Sequence, residues 1–308
     1  MAPPEATGLE LGDRPEGFRS GFVSLVGRPN VGKSTLLNQM LRSKVAITSD
    51  RPQTTRNAIR GILTTSKAQL VFVDTPGLHK PVTALGARLN KVVRGTLGEV
   101  DVVVFLVDVS EGVGAGDAFI ADVLKDLSAP VLLALNKVDL ADVHKLAEQT
   151  QRARALGDWP VFPISARAGA GIPDLLAAVA ERLPEGPLYY PADTLTDQPE
   201  RQLVAELVRE KVLELTREEV PHSVAVVVEE MGAEPGLVTI DATVYVERSS
   251  QKGIVIGKGG AVLKEIGTRA RRDIEALLGS HVLLRLRVKV ERDWQRREAL
   301  VERFGYGA

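Results

Sequence analysis

Eight consecutive residues, Gly27-Arg28-Pro29-Asn30-Val31-Gly32-Lys33-Ser34, fit the phosphate-loop pattern G-x-x-x-x-G-K-[ST]. The glycines let backbone N–H groups curl around a phosphate, and Lys33 brings a point charge to the β and γ oxygens. Ser34 offers a hydroxyl to Mg²⁺, and Thr35 continues into a helix whose positive end faces the anion. A glycine-rich turn with no ligand would need neither Lys33 nor Ser34. The segment reads as a nucleotide phosphate site.

Three later segments choose the base. Asp74-Thr75-Pro76-Gly77 follows the apolar run Leu70–Val73. A carboxylate at that strand end can hold Mg²⁺, and the Gly77 N–H can bond a γ-phosphate that disappears on hydrolysis. Asn136-Lys137-Val138-Asp139 follows Val131–Leu135. Asp139 can accept two hydrogen bonds from the guanine edge, a pairing adenine does not offer. Lys137 lies along the base, and Asn136 ties this loop to the phosphate loop. Ser165-Ala166-Arg167, after Val161–Ile164, supplies a backbone N–H for the guanine carbonyl. These strings occur in the order of a GTPase, each at a strand's C-terminal end. They specify GTP or GDP with Mg²⁺.

Between the phosphate loop and Asp74 lies Asp50-Arg51-Pro52-Gln53-Thr54-Thr55-Arg56. A mobile loop is expected here, closing over Mg²⁺ with a threonine hydroxyl. Thr55 is favoured over Thr54 because Arg56 beside it matches the Thr-Arg pairing usual in bacterial GTPases with this loop. Mg²⁺ is thus assigned to Ser34, Thr55 and Asp74. After Gly77 comes Leu78, where Ras-type GTPases place a glutamine to orient the attacking water. Leucine has no hydrogen-bonding group. In GTPases with an asparagine at the Asn30 position and an apolar residue after D-x-x-G, a K⁺ ion can replace the arginine finger. Asn30 is therefore the candidate K⁺ ligand, beside Lys33, Thr55 and Gly77 as catalytic groups. His79 is a weaker candidate base, since an exposed loop histidine is more often inert.

These residues need a scaffold, and the surrounding sequence supplies one. From Phe22 to Leu183 the apolar runs Phe22–Val26, Ala68–Val73, Val102–Val107, Val131–Leu135 and Val161–Ile164 alternate with amphipathic helical stretches. That pattern predicts an α/β fold, a mostly parallel sheet with helices on both faces. The chain of 308 residues is long enough for two domains. Residues 1–20 read as a disordered tail with no signal-peptide run, 21–183 as the nucleotide domain, 184–200 as a linker with four prolines, and 201–308 as a second domain. Cysteine is absent, which excludes disulfides and thiolate metal sites. The longest apolar run, Val102–Val107, is too short to cross a bilayer.

The second domain reads helix–strand–strand–helix–helix–strand with a short helix from Asp293. Its charge reverses along the chain. Between Arg201 and Glu247 acids dominate, whereas Arg248 to Arg297 carries thirteen Lys/Arg against five acids. Scattered charge is usually a solvated surface, but a local reversal suggests a polyanion footprint. Gly253-Ile254-Val255-Ile256-Gly257-Lys258-Gly259-Gly260 places a G-x-x-G turn between two helices. Glycines let backbone approach a nucleic acid strand, which is the logic of a KH domain taking about four unpaired nucleotides. G-x-x-G alone is a weak signal. The element order and the cations Lys258, Lys264, Arg269, Arg271, Arg272, Arg285 and Arg287 favour RNA, contacted also by Gly257, Gly259 and Gly260. The leading helix marks the type II KH arrangement.

From Phe22 to the C-terminus the chain resembles the Era family of bacterial GTPases. The resemblance rests on GRPNVGKST at 27–35, PQTTR at 52–56, VDTPGLH at 73–79, NKVD at 136–139, ISA at 164–166 and GIVIGKGG at 253–260. It implies binding of single-stranded RNA near the 3′ end of small-subunit ribosomal RNA and a role in 30S subunit assembly. It also implies a cytoplasmic protein with peripheral inner-membrane association, in which nucleotide state governs how the GTPase domain sits against the KH domain and is coupled to RNA binding, and RNA stimulates hydrolysis. A monomer is expected. Two other readings compete. A GTP-dependent switch on anionic lipid is disfavoured by the acidic polar side of the stripe Leu203–Leu215. An ATP-using kinase is disfavoured by Asp139.

Overall fold

The computed structural model describes residues 12, 16–48, 59–74, 97–217 and 220–305. They form two compact units, the second beginning at Gln198 and also taking in residues 46–48. Thr55, Thr75, Pro76, Gly77, Leu78 and His79 lie outside the described residues.

The first unit is built on β1 (Arg19–Gly27), β2 (Ile59–Thr64), β3 (Ala68–Asp74), β4 (Val102–Asp108), β5 (Val131–Asn136) and β6 (Val161–Pro163). The sheet order is β2-β3-β1-β4-β5-β6, parallel except for the antiparallel β2–β3 pair. Every residue of β4 and β5 is buried, as expected for central strands covered on both faces. Helices α1 (Lys33–Leu41), α2 (Ala115–Lys125), α3 (Val143–Arg154) and α4 (Ile172–Ala180) supply that cover. Because β3 pairs on one side of β1 and β4 on the other, β1 is a topological switch point. In such sheets ligands bind beyond the strands' carboxyl ends, and that is where the phosphate loop emerges.

β2 was not anticipated: six residues without strict alternation give little signal, and its partner β3 decides its state. The linker expected over 184–200 also differs from a free hinge. Residues up to Asp197 are bonded to the first unit. Ile62 N donates to Leu195 O at 2.8 Å, Thr196 Oγ1 to Arg60 O at 2.7 Å, and Arg60 pairs with Asp197 at 2.8 Å. Gln69, fully buried, donates through Nε2 to Tyr190 O and accepts from the Tyr189 and Tyr190 amides. The prolines end regular structure, while the backbone groups they leave behind find partners on the sheet edge.

The second unit runs α5 (Glu200–Leu215), α6 (Val220–Ser223), β7 (Ala225–Glu234), β8 (Leu237–Val246), α7 (Ser249–Ile256), α8 (Ala261–Leu278), β9 (His281–Val290) and α9 (Glu298–Arg303). Its sheet is β7-β8-β9, antiparallel then parallel. Part of the polar side of α5 is buried. Glu210 is buried and bonds Thr48 N and Lys211 Nζ, and Lys211 also pairs with Glu214 and Asp273 of α8 at 3.0 Å each. Ile47 joins this unit's core. Trp294, fully buried, donates to Ser223 O at 2.7 Å and anchors the C-terminal segment, where Phe304 stacks on Tyr245.

Replacing Gln69 with leucine keeps the shape but strands three backbone partners, a loss of about 2–4 kcal/mol locally. Hydrogen exchange on the full chain should then show amides 189–197 opening at least tenfold faster. Unchanged protection there would mean that Gln69 does not hold the segment.

Candidate nucleotide site and RNA-binding surface

The carboxyl ends of β1, β3, β4, β5 and β6 lie along one edge of the sheet, with Leu25 opposite Asp74 and Asp108 opposite Asn136. Gly27 closes β1, and Arg28, Pro29, Asn30 and Val31 form the loop before Gly32 caps α1. Gly32 has φ +101°, and a Cβ there would meet Asn136 Nδ2 at 2.3 Å. Only glycine fits. Lys33 Nζ donates to Gly27 O at 3.3 Å and Arg28 O at 3.0 Å, so its ammonium lies across the loop. Ser34 and Thr35 occupy the first turn of α1, where amide groups converge on an anion. Asp74 closes β3.

Asn136 is buried and uses both ends of its amide. Nδ2 donates to Val31 O at 2.7 Å, and Oδ1 accepts from Ala166 N at 2.9 Å. Phosphate loop, NKVD loop and Ser165-Ala166-Arg167 loop are joined through one side chain. The Ala166 N–H thus already has an acceptor, and a guanine carbonyl would share it or take the N–H of exposed Arg167. Ser165 Oγ donates to Asp139 Oδ1 at 2.6 Å, which orients that exposed carboxylate. Val138 N donates to Ile164 O, completing the link between the two loops. Lys137 adopts φ +66° and Asn30 φ +64°, left-handed conformations uncommon for non-glycine residues.

Two buried carboxylates had escaped the sequence reading. Asp117, fully buried on α2, accepts from Arg28 Nε at 2.9 Å, and Arg28 also reaches Gly112 O. Asp108, equally buried, pairs with Lys137 Nζ at 2.6 Å. Burial pushes the Asp108 carboxyl up, but the adjacent Lys137 ammonium and hydrogen bonds from Ser110 outweigh it and hold it below the ordinary carboxylate value. The signal was an aspartate directly after the apolar run Val102–Val107, at the same strand end as the motifs.

In the second unit, Gly257, Gly259 and Gly260 have φ of +73°, +60° and +82° around exposed Lys258. The turn joins α7 to α8, and Gly260 caps α8. Ile254 is 48% exposed beside this turn, while Leu284 and Leu286 of β9 face α8. Lys264, Arg269, Arg271 and Arg272 line the exposed side of α8, with Arg269 held by Glu265 at 2.7 Å. Arg285 and Arg287 are on the other face of the sheet. They alternate with inward Leu284, Leu286 and Val288, and both approach Asp241. The cations predicted as one RNA surface therefore divide into two.

A phosphate loop, a guanine-reading strand end and a KH fold define a guanine-nucleotide-binding protein with an RNA-binding module. A family model described as 50S ribosome-binding GTPase matches residues 22–137, and a KH domain model matches 219–295. The GTPase Era of Heliobacterium modesticaldum is 50% identical over 293 residues, covering 94% of this chain and 98% of that protein. The chain belongs to the Era family of GTPases. It is also similar to a crystal structure of Era with MgGDPNP and nucleotides 1506–1542 of 16S ribosomal RNA. That likeness has 40% identity, covers 94% of this chain and all of the other, and has a TM-score of 0.91. An Aquifex aeolicus Era variant bound to GDP and AlF4⁻ is 38% identical with the same coverage and a TM-score of 0.90.

Exchanging Asp139 for asparagine turns an acceptor towards the guanine edge into a donor. GTP affinity should fall roughly 100-fold while xanthosine triphosphate gains. Nucleotide competition checks this, and unchanged GTP selectivity would refute the role given to Asp139.

Proposed function

We propose that this GTPase binds single-stranded RNA at the 3′ end of the small-subunit ribosomal RNA and acts in 30S subunit assembly, with nucleotide state and RNA binding coupled. The observation that carries the reading is the turn around Lys258: three glycines at positive φ, an exposed cation, and half-buried apolar side chains beside it. Exposed backbone and charge suit phosphates, and apolar surface suits unstacked bases. The Era relative solved with nucleotides 1506–1542 of 16S ribosomal RNA supports the choice of RNA.

At the nucleotide site, Ser34, Thr55 and Asp74 offer two hydroxyls and a carboxylate, a hard oxygen set that fits Mg²⁺. When bound, that ion neutralises charge across the β and γ phosphates. Lys33 adds its own charge, the Gly77 N–H bonds the γ-phosphate, and Asn136, Lys137 and Asp139 hold the base. Leu78 leaves the attacking water without a side-chain partner, and exposed Asn30 at φ +64° is our candidate ligand for K⁺ beside the phosphates. The chain acts as a monomer in the cytoplasm, and its contact with the inner membrane is peripheral. No helix among the described residues is long and apolar enough to cross a membrane.

Gly257 is a poor site for testing RNA binding, because a Cβ there would strike Val262 Cγ2 at 2.5 Å. Gly259 has open space, and aspartate tolerates its left-handed conformation. Gly259→Asp should lower affinity for a single-stranded RNA of the 3′-end sequence at least tenfold, at unchanged basal GTPase rate. Retained RNA affinity in a gel-shift assay would count against the KH reading. For Asn30, hydrolysis should run several-fold faster in K⁺ than in Na⁺, and Asn30→Ala should remove the difference. Equal rates in the two salts would sink the K⁺ assignment.

A further inference from the structure

We infer that Asp108 is a positioning residue for guanine binding, acting through Lys137; the inference rests on the reading of the NKVD loop as the guanine site. Asp108 is the last residue of β4 and lies opposite Asn136 in the parallel register. Its two oxygens have separate tasks. Oδ1 accepts from Ser110 N at 2.8 Å, Ser110 Oγ at 2.6 Å and Glu111 N at 3.4 Å, and so closes the turn that leaves the strand. Oδ2 meets Lys137 Nζ at 2.6 Å.

The turn explains only half of this residue. One neutral oxygen would close it, as the side chains of asparagine, serine and threonine do in many turns. A carboxylate that is 0% exposed is costly unless a cation compensates it. Lys137 is that cation, and it lies one residue beyond Asn136 with its backbone held at φ +66°. Lysine has a long, flexible stem, and ordering it during nucleotide binding would weaken affinity. Asp108 fixes the ammonium at the strand end before the base arrives, leaving the alkyl stem in place along the base. Ser110 is itself held, since Lys145 Nζ donates to Ser110 O at 2.6 Å, and Val113 N of the same loop donates to Gln149 Oε1. The brace is therefore tied to α3 as well as to β4.

Asn at this position would keep the turn acceptor and present an NH₂ group to the ammonium, driving Lys137 away. The expected consequence is lost affinity at the base end, equal for GDP and GTP, with no change in the rate of the chemical step. Full-length Asp108→Asn, Lys137→Met and the double variant, titrated with a fluorescent GDP and with GTP, form the test. Asp108→Asn should weaken both nucleotides roughly tenfold, keep the single-turnover hydrolysis rate at saturation, and add less than twofold in the Lys137→Met background. A full tenfold effect persisting in that background would show that Asp108 acts through the turn, and wild-type affinity in Asp108→Asn would show that it does not act at all. Either result overturns the inference while the guanine site stands, provided the unmodified chain prefers GDP to ADP. Absence of that preference would instead remove the reading on which the inference rests. If Asp108→Asn folds poorly, the same cycle with Asp108→Ser, which retains a turn acceptor, gives the answer.

Discussion

The nucleotide site depends on one buried amide. Asn136 donates to the phosphate loop at Val31 O and accepts from the Ala166 N–H, and its Nδ2 lies where any side chain at position 32 would stand. Three loops from three strands are thereby fixed relative to one another. The arrangement works only because β1, β5 and β6 end within two residues of one another at one edge of a parallel sheet, which their register enforces. Losing either hydrogen bond would leave a buried polar group unsatisfied, so the amide has little freedom to move. The flanking pairs Arg28–Asp117 and Lys137–Asp108 then attach the two sides of the site to the first turn of α2 and to the end of β4.

Much of this was legible in the chain. Phosphate loop, NKVD and the serine-alanine segment each follow an apolar run, and strands covered on both faces announce themselves as continuous hydrophobics. What escaped was whatever depends on partners distant in sequence. β2 becomes a strand because β3 offers it a ladder, and Asp108 and Asp117 acquire roles only when Lys137 and Arg28 are brought to them. The proline-rich segment showed correctly that regular structure stops. It could not show that Gln69 and β2 would gather its backbone groups. Thr55, Gly77 and Leu78 lie outside the described residues, and their roles rest on the motifs.

The second unit shows the same division. Glycine spacing and element order gave the KH turn, whereas the distribution of charge was misleading as a single footprint. Alternation along β9 sends Arg285 and Arg287 to the sheet face opposite α8. On the acidic side of α5, Glu210 is held inside its own unit by Lys211 and Thr48, while Glu200 and Glu214 are exposed. Removing Lys211 would leave buried Glu210 without its cation, a loss of about 3–5 kcal/mol. Glu210 and Lys211 are thus structural constraints on the RNA module.

The chain carries a guanine-nucleotide site and an RNA-binding module, and the coupling proposed between them is open to measurement. The most direct test is the steady-state hydrolysis of GTP and of ATP by the full chain, with and without a single-stranded RNA of the small-subunit 3′-end sequence. Mg²⁺-dependent turnover of GTP, negligible turnover of ATP, and a faster GTP rate when the RNA is present are expected. Comparable rates for the two nucleotides, or a GTP rate indifferent to saturating RNA, would contradict this reading.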